Sequence, residues 1–258
     1  MSKLLRAELY RMYRKKPLWL CSLFMMAVAV VFVIMQATAL NYTVGLNRVI
    51  FLPMSFYGIA VAAMSSLFIG EDFSDGFIRN KLTAGSTRTA IYLSSMLVTA
   101  LGCITVYLLT LTVSLGLGIL FFEINVTAGN VLFYVVLGLF TTLAYASIFG
   151  MTSLLMGNRS SSVVVCMGFA FILLFLCLHT NQVLMQPEYK DGLFNPHYAS
   201  GIRRTLYGFL HDLNPSGQAA QLSAMECFHT IRFLLADVLW IFLSDTLGLW
   251  FFHKKDIR

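Results

Sequence analysis

Six long apolar runs divide this chain, at residues 18–40, 50–70, 91–122, 131–156, 163–180 and 231–252. At 1.5 Å of rise per residue, a helix of about 20 residues crosses the ~30 Å hydrocarbon core of a bilayer. All six runs are close to that length or longer. A soluble domain carries roughly a quarter charged residues, whereas only 12% of these 258 residues are charged and 58% are apolar. The alternating ten-residue segments of an outer-membrane barrel are missing, and a continuous apolar run in lipid must satisfy its own backbone groups as a helix. The expected fold class is an all-α integral membrane protein, with residues 1–258 forming one transmembrane domain of six spans.

Charge orients the spans, because short cytoplasmic loops collect Lys and Arg. Placing the N-terminus inside puts residues 1–17, 71–90, 157–162 and 253–258 in the cytoplasm, and with them thirteen of the eighteen basic residues. Arg48, Lys190, Arg203, Arg204 and Arg232 fall outside, four of them in or beside the long segment 182–230. The expected protein is multi-pass in the plasma membrane with both termini cytoplasmic. A net charge of +6 does not indicate nucleic acid here, since the bases flank spans and meet anionic headgroups of the lipid bilayer instead.

The basic start followed by the first run and Ala37-Thr38-Ala39 has the order of a signal peptide. Its apolar run exceeds the 7–15 residues of a cleaved segment, so it reads as an anchor. Before it, Leu5, Leu9, Met12 and Tyr13 fall on one helical face, with Lys3, Arg6, Arg14 and Lys15 elsewhere. Residues 1–17 therefore read as an amphipathic helix in the inner interface.

Between spans two and three the chain turns polar, through Glu71-Asp72-Phe73-Ser74-Asp75-Gly76-Phe77-Ile78-Arg79-Asn80-Lys81. A plain hairpin needs only about six residues. Phe73, Phe77 and Ile78 amid Asp72, Asp75, Arg79 and Lys81 have instead the composition of an apolar-anchored docking site with a charged rim.

Two carboxylates, Asp237 and Asp245, lie inside the sixth run. Eight residues apart, they sit about 80° apart around a helix. A charge at mid-membrane costs about 2.5–3.5 kcal/mol on the insertion scale, and no other run contains a Lys or Arg to pair with them. Both a relay and a polar helix-packing contact fit this intramembrane polar site. Close-packing glycines recur at Gly116, Gly118, Gly138 and Gly150.

In the segment 182–230, Ile202, Leu206, Phe209, Leu210 and Leu213 repeat at helical spacing, and Asn214-Pro215 stops the pattern before Ser216 caps a second helix towards Phe228. Two short extracellular helices are expected there, as a gate or as a packed cap. Cys21, Cys103, Cys166 and Cys177 fall in spans and Cys227 outside, which leaves no extracellular pair for a disulfide. Asn41-Tyr42-Thr43 and Asn125-Val126-Thr127 match a glycosylation pattern but hug their spans. The five dispersed histidines offer no metal-ligand spacing. The chain contains no phosphate-loop, HExxH, CxxC or GxSxG motif. The expectation is a protein with no chemistry, cofactor or metal of its own.

The ensemble resembles the membrane (permease) subunit of bacterial type-2 ATP-binding-cassette exporters. The resemblance rests on an interfacial basic helix, six spans with both ends inside, a helical insertion before the sixth span, and the segment with Glu71, Gly76, Arg79, Leu82, Gly85-Ser86-Thr87-Arg88, Ile91 and Tyr92. In that family the segment between spans two and three is a cytoplasmic coupling helix that inserts into the ATPase subunit. The resemblance thus implies that residues 71–90, through Glu71, Asp72, Phe73, Asp75, Phe77, Ile78, Arg79 and Lys81, dock an ATP-binding-cassette ATPase. It also implies a homo- or heterodimer with a second permease copy or paralogue, and ATP and Mg held by the partner ATPase. The substrate would be an amphipathic peptide, bacteriocin or drug-like molecule. The competing class is a non-transporting membrane protein, such as an immunity or assembly factor that sequesters a peptide.

Overall fold

The computed structural model describes residues 2–39, 45–190 and 193–255. The Asn41-Tyr42-Thr43 pattern and Arg258 lie outside the described residues. The remainder is helical except for one short hairpin and its connections. A helix α1 (Ser2–Arg14) leads into α2 (Lys16–Ala39), then α3 (Met54–Ser74), a short α4 (Phe77–Thr83), α5 (Arg88–Phe121), α6 (Ala128–Met156) and α7 (Arg159–Leu184). A hairpin of β1 (Tyr189–Lys190) and β2 (Leu193–Phe194) precedes α8 (Gly201–Leu213), α9 (Pro215–Ala224) and α10 (Thr230–Lys254). Helices α2, α3, α5, α6, α7 and α10 are each long and apolar enough to cross a membrane, the architecture of a multi-pass membrane protein.

Several helices outrun their apolar windows, because capping groups rather than hydropathy set where they begin. Thr87 accepts from Ala90 N at 3.2 Å and starts α5 three residues before the apolar run. Asn158 likewise accepts from Ser161 N at 2.7 Å and starts α7. Helix α3 starts later than expected, after Pro53, and carries Glu71, Asp72 and Phe73 in its last turn. Left-handed Gly76 (φ +70°) and Gly85 (φ +85°) separate α3, α4 and α5, a conformation that residues with a Cβ rarely adopt.

Helix α3 is the centre of the bundle, packed against α2, α6, α7 and α9, with 67% of its apolar window buried against 28% for α7 and α10. Tyr57 on α3 lies edge-on to Tyr107 and Tyr145, with centroids at 6.0 and 6.4 Å, and its hydroxyl donates to Cys103 O at 2.5 Å. Gly138, Gly150 and Gly248 seat Tyr107, Met96 and Tyr92 of neighbouring helices, whereas Gly116 faces open space and is no crossing point. The outer faces are apolar: Leu20, Phe175, Ile231 and Phe242 are all exposed, which suits hydrocarbon and not water.

The connections divide the molecule into two ends. At the basic end, Glu71 meets Arg159, Arg88 donates to His253 O at 2.9 Å, and Lys255 donates to Leu154 O at 2.8 Å. At the opposite end, Leu46 N donates to Glu123 O at 3.0 Å and α8 and α9 fold back on the bundle. Asn214, not Ser216, caps α9: its Oδ1 accepts from Ser216 N at 3.0 Å, because Pro215 occupies the first helical position. The helix stops at Ala224, short of Phe228, on left-handed Met225.

Candidate functional site

Helix α1 lies against α5, and its packed stripe is not purely apolar. Met12 is buried, but so is Glu8, one turn away on the same face. Arg11 and Lys15 continue the stripe, so Lys15 belongs to the inward face and not to the polar side of the helical wheel. A carboxylate removed from water needs opposite charge and hydrogen-bond donors. Glu8 receives Lys81 Nζ at 2.6 Å and Ser94 Oγ at 3.0 Å.

Asp72, also buried, is the hub of the cluster. It pairs with Arg11 at short range, with Lys15 Nζ at 3.4 Å and with Lys81 Nζ at 3.5 Å. Glu71 takes Lys15 Nζ at 2.9 Å and Arg159 Nη2 at 3.5 Å. Arg11 and Lys15 further lie over the Phe77 ring, at 4.7 and 5.8 Å from its centroid. The cluster therefore ties α1, α3, α4 and the start of α7 together through α4's Lys81 and α3's two acids.

This geometry splits the expected docking residues. Asp72 and Ile78 are buried, and Lys81 points into the cluster, so these three do not form an exposed rim. Glu71 is half-buried between Lys15 and Arg159. Phe73 is covered by Lys255, whose Nζ sits 4.1 Å from the ring centroid, and burial pushes that ammonium down to about 8. Asp75, Phe77 and Arg79 remain exposed, together with Asn80 and Thr83. The inward turn follows from the helical wheel: α4 packs Ile78 and Leu82 against the core, and burying Ile78 carries Lys81, three residues on, to the same side. The lone acid Glu8 within a strongly basic start is the sequence signal for this arrangement.

The intramembrane acids differ from each other. Asp237 is fully buried on α10, where Thr141 Oγ1 of α6 donates to its Oδ2 at 3.4 Å and its Oδ1 has no partner among the described residues. Asp245 is half-buried one face further round, with Oδ1 likewise unpartnered. No base pairs with either among the described residues.

Near Asp237, α8 and α9 bring a second polar network that sequence periodicity does not reveal. Asn214 Nδ2 donates to Leu173 O at 2.8 Å, Gln218 Nε2 to Asp212 O at 3.0 Å and Phe233 O at 3.1 Å, and Gln221 Nε2 to Asp212 Oδ1 at 2.8 Å. Ser216 meets Tyr145 at 3.0 Å. The amphipathic stripe of α8 turns outward: Ile202, Leu206 and Phe209 are exposed while His211 and Asp212 are buried. An apolar face directed outward on a bundle with lipid-type surfaces fits a helix lying against hydrocarbon. Burial holds the His211 imidazole below its usual range, against the pull of Asp212. No protein-family model and no curated protein matches this chain.

Proposed function

We propose that this chain is the permease subunit of an ATP-driven exporter, with α4 as the element that receives the motion of a separate ATPase. One observation carries this reading: a helix outside the six apolar spans is clamped from behind by buried ion pairs and presents Phe77 and Arg79 outward, beside the exposed Asp75 of the turn that precedes it. A helix held this firmly transmits displacement to α3 and α5, which it joins through two-residue and four-residue turns at Gly76 and Gly85. In the proposed topology the basic end faces the cytoplasm and both termini lie there, since lysine and arginine concentrate at that end. The chain itself contributes the path for an amphipathic substrate, and ATP with Mg belongs to the partner. Two permease chains, identical or paralogous, would enclose that path.

The test is purification of the tagged chain from its native membrane in mild detergent, with mass-spectrometric identification of co-purifying subunits and measurement of ATP turnover. An ATP-binding-cassette ATPase is expected in stoichiometric amount. Phe77→Ala with Arg79→Ala should cost on the order of 2 kcal/mol of docking, as for an aromatic anchor at an interface, while the isolated variant stays folded, losing only the contacts of Arg11 and Lys15 with the Phe77 ring, worth about 0.5–1 kcal/mol each. Normal ATPase retention and turnover in the folded double variant would sink the coupling role. An impermeant thiol reagent applied to intact cells should label Cys227, which is partly exposed at the opposite end. Labelling only after lysis reverses the topology.

A further inference from the structure

At the end opposite the charged cluster, α8, α10 and the end of α7 surround a cavity of about 500 Å³. Its lining places Arg204 and Arg232 with His211 and His229 around a single carboxylate, Asp212. That acid is already engaged, by Gln221 Nε2 at 2.8 Å on Oδ1 and by His229 Nδ1 at 3.6 Å from Oδ2. Neither arginine has a carboxylate partner among the described residues, so the cavity holds uncompensated positive charge.

Arg204 is also held in place. Its Nη2 donates to Leu184 O at 3.1 Å and its guanidinium lies over the Tyr198 ring at 5.0 Å, while Nη1 is buried without a partner. Nε2 of His211, a residue 4% exposed, is a second buried and unpartnered nitrogen in the same lining. Buried donors left unmade cost about 1–3 kcal/mol each, more when charged. A site that keeps two of them, with two unpaired arginines, is built to receive acceptor oxygens.

We propose that this cavity binds the phosphodiester head of an anionic amphiphile. The lining carries two guanidiniums and two imidazoles from α8, α10 and the turn before α10, more donors than the two oxygens of a carboxylate can meet, whereas a phosphate offers more acceptor oxygens. The volume exceeds that of a bare phosphate ion and suits a headgroup with its glycerol. Leu184 and Phe228 form an apolar part of the wall, and the exposed Ile202, Leu206 and Phe209 of α8 provide a hydrocarbon-facing surface on the same element for acyl chains. The arginines are among the few bases that depart from the charge bias of the basic end, which is the placement a ligand site requires and topology alone does not. The site stands on the chain's own residues, independently of any ATPase.

Native mass spectrometry of the purified chain in neutral detergent tests it, with phosphatidylglycerol and phosphatidylcholine offered at equal concentration. Preferential retention of phosphatidylglycerol is expected. Arg204→Gln with Arg232→Gln should reduce that preference about tenfold or more, the loss of charge-assisted hydrogen bonds worth about 1.5–3 kcal/mol each, and Arg203→Gln should leave it intact. Should the double variant not fold, Arg232→Gln alone, at an exposed position, carries the comparison. Millimolar inorganic phosphate separates the sources: retention that survives it assigns the site to the lipid head, and displacement assigns it to phosphate chemistry open to the free ion. Equal retention of both lipids by the wild-type chain, or wild-type preference in a folded arginine variant, overturns the proposal.

Discussion

The two ends of this bundle bury polar groups in opposite ways. At the basic end the buried groups are ions, and each buried carboxylate has at least one base within ion-pair range: Glu8 with Lys81, and Asp72 with Arg11, Lys15 and Lys81. At the other end the buried groups are mostly neutral amides, hydroxyls and an imidazole, and several keep an unmade bond, at His211 Nε2, Gln218 Oε1 and Gln221 Oε1. The ion cluster also leaves buried atoms without a hydrogen bond, at Glu8 Oε2 and Arg11 Nε, but opposite charges lie within ion-pair range and tie α1, α3 and α4 together. An under-satisfied hydrogen-bond network tolerates alternatives and leaves capacity for a ligand. On the proposed reading, the basic end would transmit movement while the opposite end would receive an anionic ligand.

The comparison breaks first at Asp72. Replacing it with Ala strands Arg11 in a part-buried site and leaves Lys15 and Lys81 with one carboxylate each, Glu71 and Glu8, and removal of one partner from a buried ionic cluster costs about 3–5 kcal/mol. Asp75→Ala, three residues on and exposed, should change stability by no more than the ~0–1 kcal/mol of a surface charge. Thermal unfolding of both variants, with limited proteolysis at α1, is the measurement. Equal melting temperatures would show that the cluster does not hold the basic end together.

At the opposite end, the largest single loss should come from Asn214→Ala. The substitution removes the α9 cap, worth about 0.5–2 kcal/mol, and takes from Leu173 O the donor it has besides its α7 backbone partner, a net bond of about 0.5–1.5 kcal/mol, so the two together cost about 1–3 kcal/mol. Asn214→Asp keeps the cap and loses only the donor, which separates the two contributions. If Asn214→Ala unfolds with wild-type stability, α9 is not anchored by this network.

Asp237→Asn is a smaller test of the same contrast. No base faces Asp237 among the described residues, and an amide retains the acceptor for Thr141 while lowering the desolvation cost. The expected change is within about 1 kcal/mol in either direction. A folded Asp237→Asn chain that loses transport would instead mark this carboxylate as part of a relay.

Much of the fold was legible in the sequence because it follows from length and apolarity alone. The six spans, the amphipathic α1 and the two helices before α10 are all visible as runs or periodicities. The inward turn of Asp72, Ile78 and Lys81 was not. Whether a charged residue beside a span faces water or protein depends on what packs there, and here that is α1, a helix remote in sequence. Glu8 was the available signal, a single acid with bases on every side. The polar network around α9 was hidden for a different reason: Gln218, Gln221 and Ser216 sit in a small-residue helix whose low hydropathy reads as surface, and only its insertion between α3, α6 and α7 buries it.

Lys255 is the exception that sharpens the contrast, since among the described residues it is a part-buried base at the paired end with no carboxylate partner. Its Nζ donates to Leu154 O at 2.8 Å and lies over Phe73, and burial brings it down to about 8 from an ordinary 10.5. The sign of the consequence is fixed by the direction of the shift. Between about 8 and 10.5 the unfolded chain holds this proton and the folded chain has released it, so this group makes folding more favourable as pH rises through that window. The same shift sets reactivity, because only the neutral amine is a nucleophile. Acylation under limiting reagent, followed by peptide mass mapping, should show Lys255 of the folded chain levelling off above about pH 8, whereas in the denatured chain the same residue keeps gaining towards 10.5. Parallel curves in the two states would place Lys255 in water, and would uncover Phe73 as further exposed surface beside α4.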